Sequence, residues 1–472
     1  VSLAALWQDR QQRHGVTVTA EVSGRYDVAV VGAGITGLTT AVLLSRAGRS
    51  VVVLEAGEVG DGTTGRSSAK LSLLQGTQLS TIRSRHPQKV VDLYVDAQRE
   101  GAAWVRRFCD DHGVAVQVRD AVTYAQTASG ERSLRDELDA ATRAGLKAEW
   151  VDELPLPFPT RGAIRLADQV QVDPVELLVA LRRQAEAHGA RLVEHARVVK
   201  VRGSDPIVVT TERGQVEAGR VVVATNLPVL DRGGFFARMK PARSYVLAFR
   251  TDRPAVDAMY LSADQPSRSL RDAPADDGHV LLVGGNGHTT GRGGSTSTRL
   301  ETLRDWTHTH WPDAVETHAW SAQDYVPHRA LPFAGPILPG NDEIFVAGGF
   351  SKWGMTNGPA ASLALSSLLL GGPTPAWAEV LRTYTSTDLR GLPTAARDNA
   401  EVGVEMTRGW VGAIAGRDLR TDDGLTRVCT HLGGVVRWND AERSWDCPLH
   451  GSRFDEAGAV LEGPAVKPLP HA

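Results

Sequence analysis

An α/β fold with an antiparallel sheet built into it and a small β domain appended is what this sequence predicts. Three observations carry that reading. Tyr26-Asp-Val-Ala-Val-Val31 is a short apolar run that enters Gly32-Ala-Gly34-Ile-Thr-Gly37 and then a helical pattern. Residues 240–330 are rich in alternating strand patterns. Near the C-terminus, Cys429-Thr-His431 and Cys447-Pro-Leu-His450 set one Cys and one His in each of two glycine-bearing loops.

Taken in order, residues 1 to about 24 read as a polar lead-in. Strand 26–31, the glycine turn and helix 35–47 form a strand-turn-helix unit, and Ser50-Val-Val-Val-Leu-Glu55 is the next buried strand. Residues 88–150 alternate helical stretches with polar breaks. Gln169-Val-Gln-Val-Asp-Pro174 leads into a helix over 175–188, followed by strands at 197–201, 206–211 and 219–225. A glycine-rich hinge is expected at Gly284-Gly-Asn-Gly-His288. Strand 343–347, the loop Gly348-Gly-Phe-Ser-Lys-Trp-Gly354 and a helix over 356–370 close the α/β part. Residues 385–400 read as a linker.

The glycine turn has a chemical reading. Gly32 permits the tight turn, Gly34 lets backbone approach a pyrophosphate, and Gly37 lets helix and strand pack closely. With Ile35 and Thr36 they open a helix N-terminus, where free N–H groups favour negative charge. Glu55, with Ala56 after it, stands about 20 residues on, where an acid bonds ribose hydroxyls. This predicts a Rossmann-like dinucleotide site. FAD is favoured over NAD by a second cradle of amides and hydroxyls at Gly65, Arg66, Ser67, Ser68 and Ala69, and by Ala224-Thr225 at the end of a later strand. Glycines and a helix start at Gly349, Lys352, Trp353, Gly354, Met355 and Thr356 suit the place where a flavin needs positive potential.

The two Cys and two His suit a two-iron, two-sulfide cluster, one iron held by Cys429 and Cys447 and the other by His431 and His450. Imidazole ligation raises the reduction potential by roughly several hundred millivolts over an all-thiolate cluster. Zinc is the rival, but zinc fingers pair their cysteines in one loop and their histidines in another. Cys109, the third of three cysteines, lies in a helical pattern and reads as packing, so no disulfide framework is expected.

The 472 residues are 42% hydrophobic and 23% charged, with a net charge of -3, an ordinary globular balance. Nothing in it calls for a nucleic-acid partner, and no apolar run reaches the roughly 18 residues of a membrane span. No export signal is evident, so a cytoplasmic location is expected.

Ile35-Thr-Gly-Leu38, Gly65-Arg-Ser-Ser-Ala-Lys70, Gln169-Val-Gln-Val-Asp-Pro174, Pro241-Ala-Arg-Ser-Tyr245, Trp320-Ser-Ala-Gln-Asp-Tyr325 and Lys352-Trp-Gly-Met355 together resemble the D-amino acid oxidase and glycine oxidase superfamily of FAD oxidoreductases, in the bacterial branch with a C-terminal Rieske domain. The resemblance implies an oxidoreductase over 1–385, with FAD-binding segments at about 24–85, 160–235 and 335–385 and substrate-capping segments at about 86–159 and 236–334. A linker at 386–402 and a Rieske domain at 403–472 follow. It places the Val198 backbone at the adenine. It also implies hydride transfer from an amine or amino-acid-like substrate to flavin, with Lys352 beside the ring and Arg243 and Tyr245 clamping a carboxylate. Tyr260, His288, Trp320 and Gln323 are further candidates. Electrons would leave singly through the cluster to a carrier or quinone. The alternatives are inward electron flow to a reductase or oxygenase-type reaction, and a redox adaptor without substrate. Arg66 stands where the branch usually has His, so FAD is expected to be dissociable. The Rieske part looks short of its first strands, which predicts a more exposed cluster. Separate domains predict that FAD stays bound when the cluster is lost.

Overall fold

In the computed structural model, which describes residues 1–10, 21–275, 278–414, 419–421 and 424–471, the strand Arg25–Val31 lies inside an eight-stranded sheet. It pairs in parallel with Val51–Leu54 on one side and Gly214–Val223 on the other, and Ile344–Gly348 continues beyond the latter. Val30, Val53 and Val222 are fully buried. These strands lack alternation because both faces of a parallel sheet are covered. Burying each Val or Leu contributes about 1.5–3 kcal/mol. Helices Ile35–Arg46 and Gly354–Leu369 pack against each other, and Pro174–Ala187 packs on the former. The last of these starts where the sequence places it: Asp173 accepts from the Val175 and Glu176 amides, and Pro174 opens the first turn.

The antiparallel expectation for 240–330 holds. A nine-stranded sheet contains Met239–Thr251 flanked by His279–Thr289 and Val315–Pro327. The expected hinge at 284–288 is instead strand, interrupted by a register shift opposite Arg243 and Tyr245. Glycine here marks an irregularity within a ladder rather than a break in it.

A third sheet has four short strands, Arg437–Asn439, Ser444–Asp446, Arg453–Phe454 and Val460–Glu462. Its core gathers Leu425, Val436, Leu449, Phe454 and Leu469 around Cys429 and Cys447.

Two further sequence expectations change. The lead-in partly falls at 11–20, outside the described residues, and 1–10 is not a polar leader: Trp7 is fully buried and its indole N–H donates to the Ser67 carbonyl at 2.9 Å. The expected linker at 386–402 is largely helical, because Leu392–Ile414 runs through its far boundary. Asp398 and Glu401 of this helix pair with Lys240, while Val402 and Met406 pack on the C-terminal core. Tertiary partners on both sides explain why a segment that reads as a connector folds.

Candidate functional site

One cavity of about 410 Å³ runs from the glycine turn to the antiparallel sheet. Gly32 holds φ +99, and a Cβ there would meet the Ala224 carbonyl at 2.9 Å. A Cβ on Gly37 would lie 1.9 Å from the Gly32 carbonyl, so helix and strand could not approach. Gly34 gives helix Ile35–Arg46 no side-chain cap; the Ile35 amide donates instead to Thr64 Oγ1 at 3.2 Å, and this first turn borders the cavity. Glu55 Oε2 accepts from the Ala33 amide at 2.7 Å, and burial raises its carboxyl above the usual range.

Of the residues expected to hold FAD, Gly32, Gly34, Ile35, Thr36, Glu55, Ala56, Gly65, Arg66, Ser67, Ser68, Val198, Ala224, Thr225, Lys352, Trp353, Gly354 and Met355 line this cavity. Gly37, Ala69, Gly349 and Thr356 do not line it; Gly349 donates to Asn226 Oδ1 at 3.1 Å and Thr356 Oγ1 to Gln98 Oε1 at 2.6 Å. No His or Cys lines the cavity among the described residues.

Lys352 stands in a strained loop, with left-handed backbone at both Ser351 (φ +51) and Lys352 (φ +73). Asp324 accepts from its amide, and its Nζ donates to Ser244 Oγ at 2.7 Å. Burial lowers the Lys352 pKa, opposed by the Asp324 charge. Lys70, quoted in the sequence only as the end of a motif, is a second buried amine in the cavity. Its Nζ donates to the Tyr260 carbonyl at 2.9 Å and to Ser269 Oγ at 2.7 Å. Burial, aided by the Arg271 charge, brings its pKa down to about 7. Among the described residues it forms no ion pair with a carboxylate.

Of the two expected clamp residues, Tyr245 borders the cavity and Arg243 does not line it, and neither side chain is turned into it. Side chains alternate along Met239–Thr251, so Ser244 reaches the cavity while Arg243 and Tyr245 project from the opposite face. Arg243 is fully buried and pairs with Glu442 at 2.9 Å and Glu462 at 2.8 Å, both from the C-terminal domain. Tyr245 packs with Leu303 and stacks on His288. Gln323, on the neighbouring strand, donates to the Gly451 carbonyl at 2.8 Å. Trp320 donates to the Arg66 carbonyl at 2.9 Å, and the Tyr260 hydroxyl to Asp257 at 2.6 Å. Arg243, Gln323, Trp320 and Tyr260 thus donate to structural partners, whereas the Tyr245 hydroxyl and both His288 ring nitrogens are buried without one.

Behind that face lie the four cluster residues. Cys429 and Cys447 adjoin each other and are buried, and the His431 and His450 ring centroids are 5.2 Å apart. The Cys447 S–H and the amides of His431 and Leu432 pull the Cys429 thiol down to about 7. Nδ1 of His450 is buried without a hydrogen-bond partner. Sulfurs approached by amides and an orphaned imidazole nitrogen fit a cluster bridging two irons. Contrary to expectation, the site is covered. Phe236 sets its ring edgewise to both imidazoles at 5.3 and 5.0 Å, and His431 Nε2 lies 2.7 Å from Asp231 Oδ1. Neither residue is marked by a sequence motif.

The model of the FAD dependent oxidoreductase family, DAO, matches residues 27–368. The chain belongs to that family. As a DAO oxidoreductase it binds FAD, and the Rieske [2Fe-2S] model matches residues 423–472, so it also carries a two-iron cluster. It is similar to the Bacillus subtilis protein YhfW, which bears the Rieske 2Fe-2S iron-sulfur name, at 33% identity across 94% of this chain and 92% of that one. Glycine oxidase from Geobacillus kaustophilus shares the fold at TM-score 0.63 and 21% identity, covering 74% of this chain and 96% of that one. L-proline dehydrogenase from P. horikoshii does so at TM-score 0.63 and 18% identity, covering 78% and 98%. No described helix is long and apolar enough to cross a membrane.

Proposed function

We propose that this DAO oxidoreductase oxidises an amine or amino-acid-like substrate bearing a carboxylate, and passes the electrons singly through its cluster to a carrier or quinone. The observation that carries the reading is Lys70. It is a buried amine with no carboxylate partner among the described residues, in the part of the cavity walled by Leu261, Ser269, Leu282 and Gly284. A buried cation is costly without an anion, and a substrate carboxylate supplies one. The names of glycine oxidase and L-proline dehydrogenase agree with that substrate class.

Bound FAD supplies a hydride acceptor and the cluster a one-electron relay. The chain's own residues do the rest. Lys70 holds the carboxylate and fixes the orientation of the reacting carbon. Lys352, positioned by Ser244 and Asp324, places positive charge in the cavity where negative charge develops. Leu261, Leu282 and Met355 exclude water. The neutral amine needs no strong base at carbon, because the nitrogen lone pair drives hydride departure.

Anaerobic mixing with a panel of amines and amino acids tests this. Bleaching of the flavin by one class, followed by a reduced-cluster EPR signal, is expected. A cluster that stays oxidised while substrate fully reduces the flavin would sink the relay. Flavin reduced by a ferredoxin system but by no amine would favour inward flow.

A further inference from the structure

The FAD cavity is not walled by the DAO domain alone. Leu461, Glu462, Gly463 and Val466, from the last strand and tail of the cluster domain, line the same cavity as Gly34 and Glu55. They stand on its nucleotide side. Arg197 Nη2 donates to the Val460 carbonyl at 2.8 Å, and a Cβ on Gly463 would lie 3.2 Å from Val229 Cγ1. Arg197 and Val229 line the cavity beside Val198 and Thr225.

This wall is held by docking contacts distributed over the cluster domain. Glu462 pairs with Arg243 at 2.8 Å, and the Tyr325 hydroxyl donates to the Gly463 carbonyl at 3.1 Å. Ser321 donates to Glu442 at 2.6 Å, and Arg292 to the Pro448 carbonyl at 2.8 Å. Farther off, Asp440 accepts from the amides of Thr296 and Ser297, capping helix Thr296–His310 of the DAO domain.

We propose that the cluster domain is part of the FAD site: the tail at 461–466 closes the nucleotide groove, so FAD retention and docking of the cluster domain are one linked equilibrium. Whatever loosens docking opens the groove, and by thermodynamic reciprocity FAD tightens docking. This reverses the expectation that the two sites are independent. It does not depend on which substrate is oxidised.

Hydrogen–deuterium exchange of the full chain, with FAD and after its removal, tests the wall without any variant. Slower exchange at 460–466 in the FAD-bound form is expected, alongside slower exchange at 32–37. Protection confined to 32–37 would overturn the proposal. The FAD release rate, read as the rise in free-flavin fluorescence on dilution, tests the linkage. Glu462→Ala, at the wall, and Asp440→Ala, remote from the cavity, should each speed release by about tenfold, within the usual range of coupling between sites. Glu456→Ala, at the exposed Arg443–Glu456 pair, should release FAD at the wild-type rate. Release unchanged in both docking variants would refute the linkage, as would equal acceleration in the Glu456→Ala control.

Discussion

Lys70 concentrates the chemistry of the cavity at one atom. With a pKa of about 7, its amine is cationic below neutrality and neutral above it. Affinity for a carboxylate-bearing substrate should therefore fall as pH rises through about 7, a limb visible in kcat/KM. Lys70→Met should remove that limb and raise KM about tenfold or more, since a charge-assisted hydrogen bond is worth about 1.5–3 kcal/mol. An unchanged profile in this variant would place the carboxylate elsewhere. Lys352→Met should slow flavin reduction about 10- to 100-fold with the cluster spectrum intact, measured by anaerobic stopped flow. Cys109 is fully buried, and burial pushes its thiol up to about 12. It should resist iodoacetamide in the folded protein and react after denaturation.

At the scale of an element, the strand Met239–Thr251 sorts its functions by alternation. Ser244 faces the cavity and Lys352, whereas the Tyr245 hydroxyl is buried without a hydrogen-bond partner on the other face. Tyr245→Phe should leave kcat/KM within about twofold and leave the melting temperature equal or higher, because it removes an unsatisfied polar group. Ser244→Val should slow flavin reduction by releasing Lys352. The reverse pattern would mean that the strand presents its other face to substrate. Local sequence shows that such a strand alternates. It does not show which face meets the cavity, since Pro241-Ala-Arg-Ser-Tyr245 offers its larger polar groups to whichever side needs them. The helix Leu392–Ile414 was hidden for a related reason: its stability comes from Lys240 on one side and the cluster core on the other.

Across the molecule, the strands Met239–Thr251 and Val315–Pro327 stand between the cavity on one face and the cluster loops on the other, while the tail at 461–466 of the cluster domain lines the cavity itself. Neutralising one partner of a buried ion pair leaves the other charge uncompensated, so docking through these pairs depends on ionisation. Burial opposes ionisation of Glu442, but Arg243 and Arg453 hold it down to about 2. Burial likewise opposes Asp440, whose carboxyl the hydroxyls of Ser297, Thr296 and Ser295 pull below its usual range. A depressed carboxylate stabilises the folded form above its ordinary pKa and ceases to do so as pH falls through the depressed value. Docking should thus hold at neutral pH and weaken progressively from about pH 4.5 downwards, read as proteolytic release of the cluster domain. Cys447→Ser should abolish the cluster's iron and sulfide. With FAD in excess, substrate should still reduce the flavin at its normal rate, while turnover with one-electron acceptors slows. Zinc in place of iron in the wild-type protein would contradict the cluster assignment.

The sequence by itself determined the glycine turn with its acidic partner, the two Cys and His loops, and hence both cofactors. Each is a local device, in which backbone shape and donor type within a few residues carry the chemistry. Only the tertiary structure decided that Arg243 serves the domain interface, that Lys70 is buried in the cavity, and that Phe236 and Asp231 cover the imidazoles. It likewise put the tail at 461–466 in the flavin cavity. Those outcomes depend on which face of a strand is covered and by what, and partners some 200 residues away leave no periodicity for a sequence to show.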